Sequence, residues 1–377
     1  MAGIYIHIPY CKQKCSYCNF HFSTDLKSKT QITAAICREI SLRKNEIKES
    51  VETIYWGGGT PSLLNGDEIQ RIFDVLYQHF EIVENPEITL EANPDDLSHE
   101  KISILKSTPI NRLSIGVQSF FDEDLRLMHR AHNEIEALRS IQTAQDAGFD
   151  NITIDLIYGS PTTTREMWQK NLEKALALRV PHISSYALTV EPKTALNHWI
   201  KNQKVDDIDE EKQEEQFQML VKTLIENGFL HYEISNFGKP GYLSKHNSSY
   251  WRGIPYLGIG PSAHSYDGQN RSWNVRNNQI YLQKINQGII PSETEHLSEN
   301  ERFNEMVMIR LRTMEGLSLH EVQEKFPENF LTQLLQDLQP HLDNQTVTLE
   351  DAHIHITASG LFLADGIAAS LFRVEEG

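Results

Sequence analysis

The sequence predicts an α/β fold, a partial barrel of about six strand–helix units followed by a C-terminal helical domain. Short apolar runs alternate with longer stretches of helical periodicity up to residue 227, a pattern typical of βαβ units around a parallel sheet. Polar or glycine-rich residues follow most of the runs, where the loops of a parallel barrel form its site. From residue 301 onward helical patterns predominate.

Six strands are predicted, each closed by glycine, proline or a polar residue. They are Gly3–Ile8, Thr53–Trp56, Glu87–Ala92, Arg112–Gly116, Asn151–Tyr158 and His182–Ala187. Helical periodicity separates or follows them. The predicted helices are Gln31–Lys48, Asp67–Phe80, Asn133–Ala147, Thr164–Leu178 and Glu210–Asn227. These elements place the barrel domain at residues 1–236.

The remaining residues, 237–377, are assigned to a C-terminal domain that begins near Phe237. Its predicted elements are helices Glu301–Leu311, Leu317–Phe326 and Phe330–Leu342, a hairpin over Thr346–Thr357, and a closing helix Ser359–Phe372. Three helices and a hairpin resemble a winged-helix domain, which often binds DNA. This segment has no basic recognition face, so we expect a cover or interaction domain.

Composition limits the class of protein. Charged residues make up 23% and apolar residues 39% of the 377, which is typical of a soluble globular chain. A net charge of −17 argues against nonspecific binding to nucleic acid, which needs a basic face. No apolar run has transmembrane length and no signal peptide is apparent, so we expect a cytoplasmic protein.

Three of the four cysteines, Cys11, Cys15 and Cys18, directly follow the first strand with the spacing Cys-x3-Cys-x2-Cys. Cysteine thiolates hold iron–sulfur clusters, and three of them would leave one iron of a cubane open to a small chelating molecule. Zinc bound by three cysteines and a histidine is the alternative, because His21 lies nearby. Cys37 falls in a predicted helix and is expected to be a small buried apolar side chain.

The cysteine spacing is typical of the radical S-adenosylmethionine (SAM) superfamily. Further motifs resemble the oxygen-independent coproporphyrinogen III oxidase family, in the same order along the chain. These are Gly57-Gly-Gly-Thr-Pro61, Leu90-Glu-Ala-Asn-Pro94, Ile115-Gly-Val-Gln-Ser-Phe120, Asp155-Leu-Ile-Tyr-Gly-Ser-Pro161 and Ser185-Tyr-Ala-Leu188. The resemblance implies a radical-SAM (β/α)6 barrel in which Cys11, Cys15 and Cys18 hold a [4Fe–4S] cluster and SAM binds beside it.

The same resemblance implies a set of residues on or near SAM. They are Tyr5, Gly58, Gly59, Thr60, Glu91, Gln118, Arg130 and Asp155. Their chemistry suits the role, because glycines allow close backbone approach, carboxylates accept hydroxyl or ammonium protons, and arginine pairs with a carboxylate. Taken without the resemblance, the glycines could form a tight turn, Glu91 could be a surface acid and Arg130 a solvated helix arginine. For Asp155, a charge within an apolar strand favours ligand binding over a structural ion pair.

Two features depart from the oxidase pattern. Phe20 stands where that pattern has a further cysteine, and the first strand begins at the start of the chain, where the oxidase has a long extension. A third feature, His246-Asn-Ser-Ser-Tyr-Trp251, resembles the His-Asn-x-x-Tyr-Trp motif of the HemW haem chaperones. A neutral histidine can ligate haem iron, which makes His246 the candidate haem ligand.

The combined resemblance implies a haem chaperone that passes haem to acceptor proteins such as respiratory haem enzymes. The alternative is oxidative decarboxylation of coproporphyrinogen III in haem biosynthesis. No catalytic residue is assigned. Contact with membrane-bound acceptors would be peripheral, and a homodimer bridged by haem is left open.

Overall fold

The larger part of the molecule is built on one twelve-stranded sheet. The computed structural model describes residues 1–374. The strands of this sheet are β1 Ala2–Ile8, β2 Val51–Gly58, β3 Ile82–Ala92, β4 Arg112–Gln118, β5 Asn151–Tyr158, β6 His182–Ala187, β7 Leu230–Glu233, β8 Asn236–Gly238, β9 Tyr256–Ile259, β10 His264–Tyr266, β11 Asn270–Asn274 and β12 Ser292–His296. They are ordered β12-β11-β10-β9-β1-β2-β3-β4-β5-β6-β8-β7.

Strands β1 to β6 pair in parallel, which confirms the predicted α/β class and the six-strand partial barrel. The predicted bounds of β5 and β6 are confirmed, whereas β1 to β4 are longer than predicted. Strand β9 joins the free edge of β1, also in parallel, and β10 to β12 extend the sheet in antiparallel fashion. Apolar side chains that alternate along β1 (Ile4, Ile6 and Ile8) are buried under the helices.

The described residues form fourteen α-helices. Those before residue 297 are α1 Lys29–Leu42, α2 Gly66–His79, α3 His99–Lys106, α4 Asp122–Leu127, α5 Glu134–Asp146, α6 Arg165–Ala177, α7 Ala195–Lys201, α8 Glu210–Glu226, α9 Lys245–Trp251 and α10 Asn278–Asn286. The later ones are α11 Glu299–Leu311, α12 Leu319–Lys325, α13 Glu328–Asp343 and α14 Ala364–Ser370. Capping boxes begin α2, α5 and α11, where an asparagine or serine cap and the glutamate three residues later exchange hydrogen bonds.

Two predicted helices extend at one end by five residues or more beyond the real ones. The first ends at Leu42, not at Lys48, because the polar residues that follow offer no apolar face and Arg43 turns its side chain into the core. The closing helix begins at Ala364, because residues Leu361–Leu363 form a separate 3-10 turn. Short helices α3, α4 and α7 were not predicted, since their few residues carry little periodicity.

A second hydrophobic core lies in the C-terminal part of the chain. It runs from Phe303 to Leu371 and packs against a three-stranded sheet ordered β13-β15-β14. These strands are β13 Leu317–Ser318, β14 Val347–Glu350 and β15 His353–Ile356. Residues between the expected domain boundary near Phe237 and α11 belong to the main sheet, because β8 pairs with β6 and β9 pairs with β1. The separate core therefore begins at α11.

A buried carboxylate connects α1 to the added strands. Glu39 is fully buried, and it accepts hydrogen bonds from Arg43 Nη1 at 3.1 Å, Asn274 Nδ2 at 2.7 Å and the Tyr281 hydroxyl at 2.6 Å. The backbone N–H of Gly260 donates to its other oxygen at 2.8 Å. Four donors therefore hold α1, the end of β9, β11 and α10 together around one charge.

Within residues 1–374, no helix combines the length and the apolar character that crossing a membrane requires.

Candidate functional site

The three clustered cysteines lie in the loop after β1. Cys11, Cys15 and Cys18 are partly exposed and form no disulfide. Burial, opposed by contact with Thr60 and assisted by charges on the other two cysteines, raises the pKa of Cys11 to about 12. Cys37 is separate from this group, on α1, where it is only partly buried against the core.

The cysteine loop contacts Arg130, and the nearby His21 contacts Asn278. Among residues 1–374, no three His, Cys, Asp or Glu side chains are grouped as a single metal ion requires. Arg130 Nη1 donates to Cys15 Sγ at 3.3 Å. His21 is the fourth ligand in the zinc alternative. Its Nε2 donates a hydrogen bond to Asn278 Oδ1 at 2.7 Å.

Arg130 connects the cysteine loop to the carboxyl ends of β3 and β4. Its Nη2 donates to Asn93 Oδ1 at 2.6 Å and to the Gly116 carbonyl at 2.8 Å. Its Nε is buried without a hydrogen-bond partner in the described residues. Gln118 has a left-handed backbone (φ 67°), and a Cβ on Gly116 would lie 3.0 Å from Gln118 Nε2 and 3.1 Å from Arg130 Nη2. The two predicted residues therefore converge above Gly116.

The glycines after β2 are required by close packing against the cysteine loop. A Cβ on Gly58, where φ is +101°, would lie 2.5 Å from the ring of His7, and one on Gly59 would lie 2.5 Å from the Tyr10 carbonyl oxygen. The N–H groups of Gly59 and Thr60 donate to the carbonyls of Ile8 and Tyr10 at 2.9 and 2.6 Å. The glycine stretch and the cysteine loop therefore form one rigid edge.

Glu91 ends β3 beside two aromatic rings. The Tyr55 hydroxyl donates to Glu91 Oε1 at 2.9 Å, and the Tyr5 ring stacks against Tyr55 with centroids 6.2 Å apart. Burial raises the pKa of Glu91 to about 7, Tyr55 opposes the shift, and the charge on Asp155 adds to it. A carboxyl group with this pKa can either accept or donate a hydrogen bond near neutral pH.

Asp155 lies within β5, two residues beyond Thr153, which is the register partner of Ser114. Ser114 Oγ donates to its carboxylate at 3.2 Å. Burial raises the pKa of Asp155 to about 6, against the effect of hydrogen bonds from Ser114 and Ser184. Glu91 pairs in register with Ser114, and Ser114 donates to Asp155, so one serine connects the neighbourhoods of the two acids.

His246 is not part of this site. A Cβ on Gly3, at the start of β1, would lie 3.4 Å from its ring, whereas the cysteines follow the end of the same strand. Its Nδ1 exchanges a hydrogen bond with Thr53 Oγ1 at 2.7 Å, and its Nε2 with the Tyr250 hydroxyl at 2.8 Å. It is 1% exposed, and burial lowers its pKa to about 3. Both ring nitrogens form hydrogen bonds here, so the role of His246 as a haem ligand stays a prediction, and ligation of iron would require one of these bonds to break.

Sequence reasoning missed three polar side chains that support the site. Tyr55 orients Glu91, Asn93 accepts from Arg130, and Ser114 donates to Asp155. Tyr55 and Ser114 could have been found from strand alternation, because each lies on the same face as a predicted site residue of the neighbouring strand. Asn93 offered no signal beyond its position after β3.

We expect Glu91→Gln to change how stability depends on pH. The carboxyl ionises near pH 4.5 in the unfolded chain and near pH 7 in the folded protein, so ionisation of the unfolded state destabilises the wild type as pH rises between these values. Glutamine does not ionise. The difference in melting temperature, variant minus wild type, should therefore increase from pH 4.5 to pH 7 and be constant outside that window.

The matched control is Glu100→Gln on α3, since Glu100 is exposed. Thermal melts of ligand-free protein in buffers of equal ionic strength provide the measurement. A difference for Glu91→Gln that is independent of pH would contradict the raised pKa.

Comparisons with known proteins agree with this arrangement. The model of the radical SAM superfamily matches residues 5–175, and that of the HemN C-terminal domain matches residues 297–363. The chain is 34% identical to "Heme chaperone HemW" of Lactococcus lactis, over 96% of this chain and 95% of that protein. It is 31% identical to the protein of the same name from Bacillus subtilis, over 97% of this chain and 98% of the other.

A solved structure shares the whole fold. Coproporphyrinogen III oxidase (HemN) from Escherichia coli superposes with a TM-score of 0.86 at 24% identity, covering 98% of this chain and 90% of that one. This likeness is evidence for the fold alone. The near-complete coverage at 30% identity or more decides the family. The chain belongs to the family of the heme chaperone HemW, within the radical SAM superfamily.

Proposed function

We propose that this protein binds haem and transfers it to acceptor haem proteins, and that it carries a [4Fe–4S] cluster and SAM while doing so. The single observation that carries the proposal is the identity to proteins named heme chaperone over nearly the whole chain, both cores included. The two family models that match the chain cover the cysteine loop and the C-terminal helices. We place this activity in the cytoplasm.

Cys11, Cys15 and Cys18 would hold the cluster. When bound, a cluster with three protein thiolates supplies one iron to which SAM can coordinate. The chain's own contribution is to prepare the thiolates: Arg130 donates to Cys15, and the rigid glycine edge fixes the loop that carries Cys11. Partial burial of the three thiols would limit access of water to the cluster.

The residues at the edge of the sheet would receive SAM. Glu91 and Asp155 are acceptors held in place by Tyr55 and Ser114, suited to the ammonium and ribose hydroxyl groups. Arg130 keeps an unpaired buried N–H for an anionic group such as the carboxylate. Tyr5, Gly58, Gly59, Thr60 and Gln118 complete the proposed wall.

The proposal predicts saturable binding of haem by the full-length, anaerobically reconstituted protein. Addition of haem should produce a Soret change that reaches a plateau near one haem per chain. The loaded protein should then restore activity to a haem-depleted acceptor enzyme faster than free haem does. Chaperone function is contradicted if the haem titration reaches no plateau. It is also contradicted if the loaded protein restores the activity of the acceptor enzyme no faster than free haem does.

The same preparation separates the decarboxylase alternative. Incubated with coproporphyrinogen III, SAM and a reductant, the protein should form no protoporphyrinogen. The oxidase of known activity, treated in parallel, verifies the assay. Product formation by this chain would make porphyrinogen oxidation its function.

A further inference from the structure

A second cavity lies away from the cysteines, between the barrel and the C-terminal helices. Its volume is about 510 Å³, and it is lined by the end of α9, by β9 to β11 and by α11 and α12. Cavities that hold small molecules measure about 300–1,000 Å³. None of the residues assigned to the cluster or to SAM lines it.

The lining is cationic in an acidic protein. The chain carries a net charge of −17, yet five lining residues are basic, namely Arg252, Arg271, Arg302, Arg310 and Lys325. Glu305 and Glu321 are the two carboxylates of the lining. Glu305 pairs with one of the cations and Glu321 with two, while a third glutamate, outside the lining, pairs with Arg252.

Two buried donors of the cavity lack acceptors. Arg302 forms no ion pair within residues 1–374, and its Nε is buried without a hydrogen-bond partner. The indole Nε1 of Trp251 is buried without a partner as well. Arg302 is therefore the basic residue of the lining that has no carboxylate partner within residues 1–374, whereas the other four are paired. The positive surroundings favour an anionic acceptor.

The remaining wall is aromatic and apolar. Tyr256 and Tyr266 contribute rings from neighbouring positions of β9 and β10, and Trp251 from the end of α9. Met306 and Phe326 close the opposite side from the C-terminal core. Flat rings and flexible apolar side chains pack well against a planar macrocycle, whereas a compact phosphate would leave them without contact.

One histidine of the lining offers a free ring. His264 is exposed, and no hydrogen bond to its ring is present among the described residues. Partial desolvation of the ring, assisted by the charge on Arg271, lowers its pKa, which favours the neutral form that carries a lone pair. Neutral imidazole is a common ligand of haem iron. His246, by contrast, uses both ring nitrogens in the core.

We propose that this cavity binds haem, with Arg302 receiving a propionate and His264 ligating the iron. The inference rests on the proposed function and adds to it the place where the cargo is held. It separates the haem site from the cluster and SAM, which lie beyond the end of β1. It also gives the C-terminal domain a role, since α11 and α12 supply one wall.

Haem titrations of four full-length variants test the proposal. His264→Ala should shift the Soret band and weaken binding roughly tenfold, since one axial bond is lost. Arg302→Gln should weaken binding by a similar factor without moving the band. His99→Ala and Arg165→Gln are the matched controls, because both residues are exposed on the barrel. Haem dimethyl ester, which lacks the carboxylates, should bind Arg302→Gln and wild type equally.

The outcomes separate the two proposals. If wild type binds haem and both test variants match their controls in band position and affinity, this site is wrong while chaperone function stands. If wild type itself shows no saturable binding, the proposed function fails and the site with it. The propionate contact is wrong if Arg302→Gln binds haem more weakly than wild type but still prefers haem over the dimethyl ester by the same factor as wild type.

Discussion

Cys15→Ala is expected to abolish cluster assembly. Wild-type protein reconstituted anaerobically with iron and sulfide should bind about four irons per chain. In the variant only two thiolates remain, and Arg130 loses the sulfur that its Nη1 contacts at 3.3 Å. Iron and sulfide analysis after gel filtration, together with the visible absorption spectrum, should show essentially no bound cluster.

Cys37→Ala is the matched control for this loss. Cys37 lies on α1 and packs against the core, separate from the three cysteines of the loop. Its removal should leave the iron content at the wild-type level. If Cys15→Ala and wild type bound equal amounts of iron, the Cys15 thiol would not be a ligand of the cluster.

Glu39→Ala is expected to destabilise the fold by about 3–5 kcal/mol, the usual cost of removing one partner from a buried ion pair. Arg43, Asn274 and Tyr281 would each lose a buried acceptor. These donors come from elements far apart in sequence. Their loss of an acceptor should therefore loosen the attachment of strands β9, β10 and β11 and of helix α10 to the barrel. Urea unfolding monitored by circular dichroism measures the effect.

The comparison variant is Glu46→Ala. Glu46 pairs with the same arginine, at 2.7 Å, but its side chain is 47% exposed. Exposed pairs contribute about 0–1 kcal/mol, so this variant should unfold close to the wild-type midpoint. If the two variants unfolded at similar urea concentrations, the burial of Glu39 would not account for its contribution to the free energy of unfolding.

Local patterns predicted the parts of the fold that depend on neighbours in sequence. Strands β5 and β6 were placed from their apolar runs, and α5 from its helical periodicity and the glycine that follows it. The return of β9 to the edge of β1 was not predicted, because that pairing joins residues such as Gly3 and Tyr256 across most of the chain. A four-residue strand between glycines carries no signal for its partner.

The candidate site was likewise predicted only in part from the sequence. Motif positions located the cysteines, Arg130 and the acids at the strand ends, since the carboxyl ends of parallel strands meet at one edge. The motif around His246 did not reveal which way the ring faces. Its burial follows from Thr53 on β2 and from Glu87 on β3, and neither residue is marked in the sequence as its neighbour.

Helix α9 is fastened at its first turn. The carboxylate of Glu87 accepts from the backbone N–H groups of Lys245 and His246, each at 3.0 Å, and the His246 ring holds Tyr250 one turn further on. Tyr250 and Trp251 are thereby preorganised, and an incoming planar guest loses little conformational entropy in ordering them. In the proposed haem complex, the entropic cost of ordering side chains would fall mainly on Arg302, because the other four basic residues of the lining are already held by glutamates.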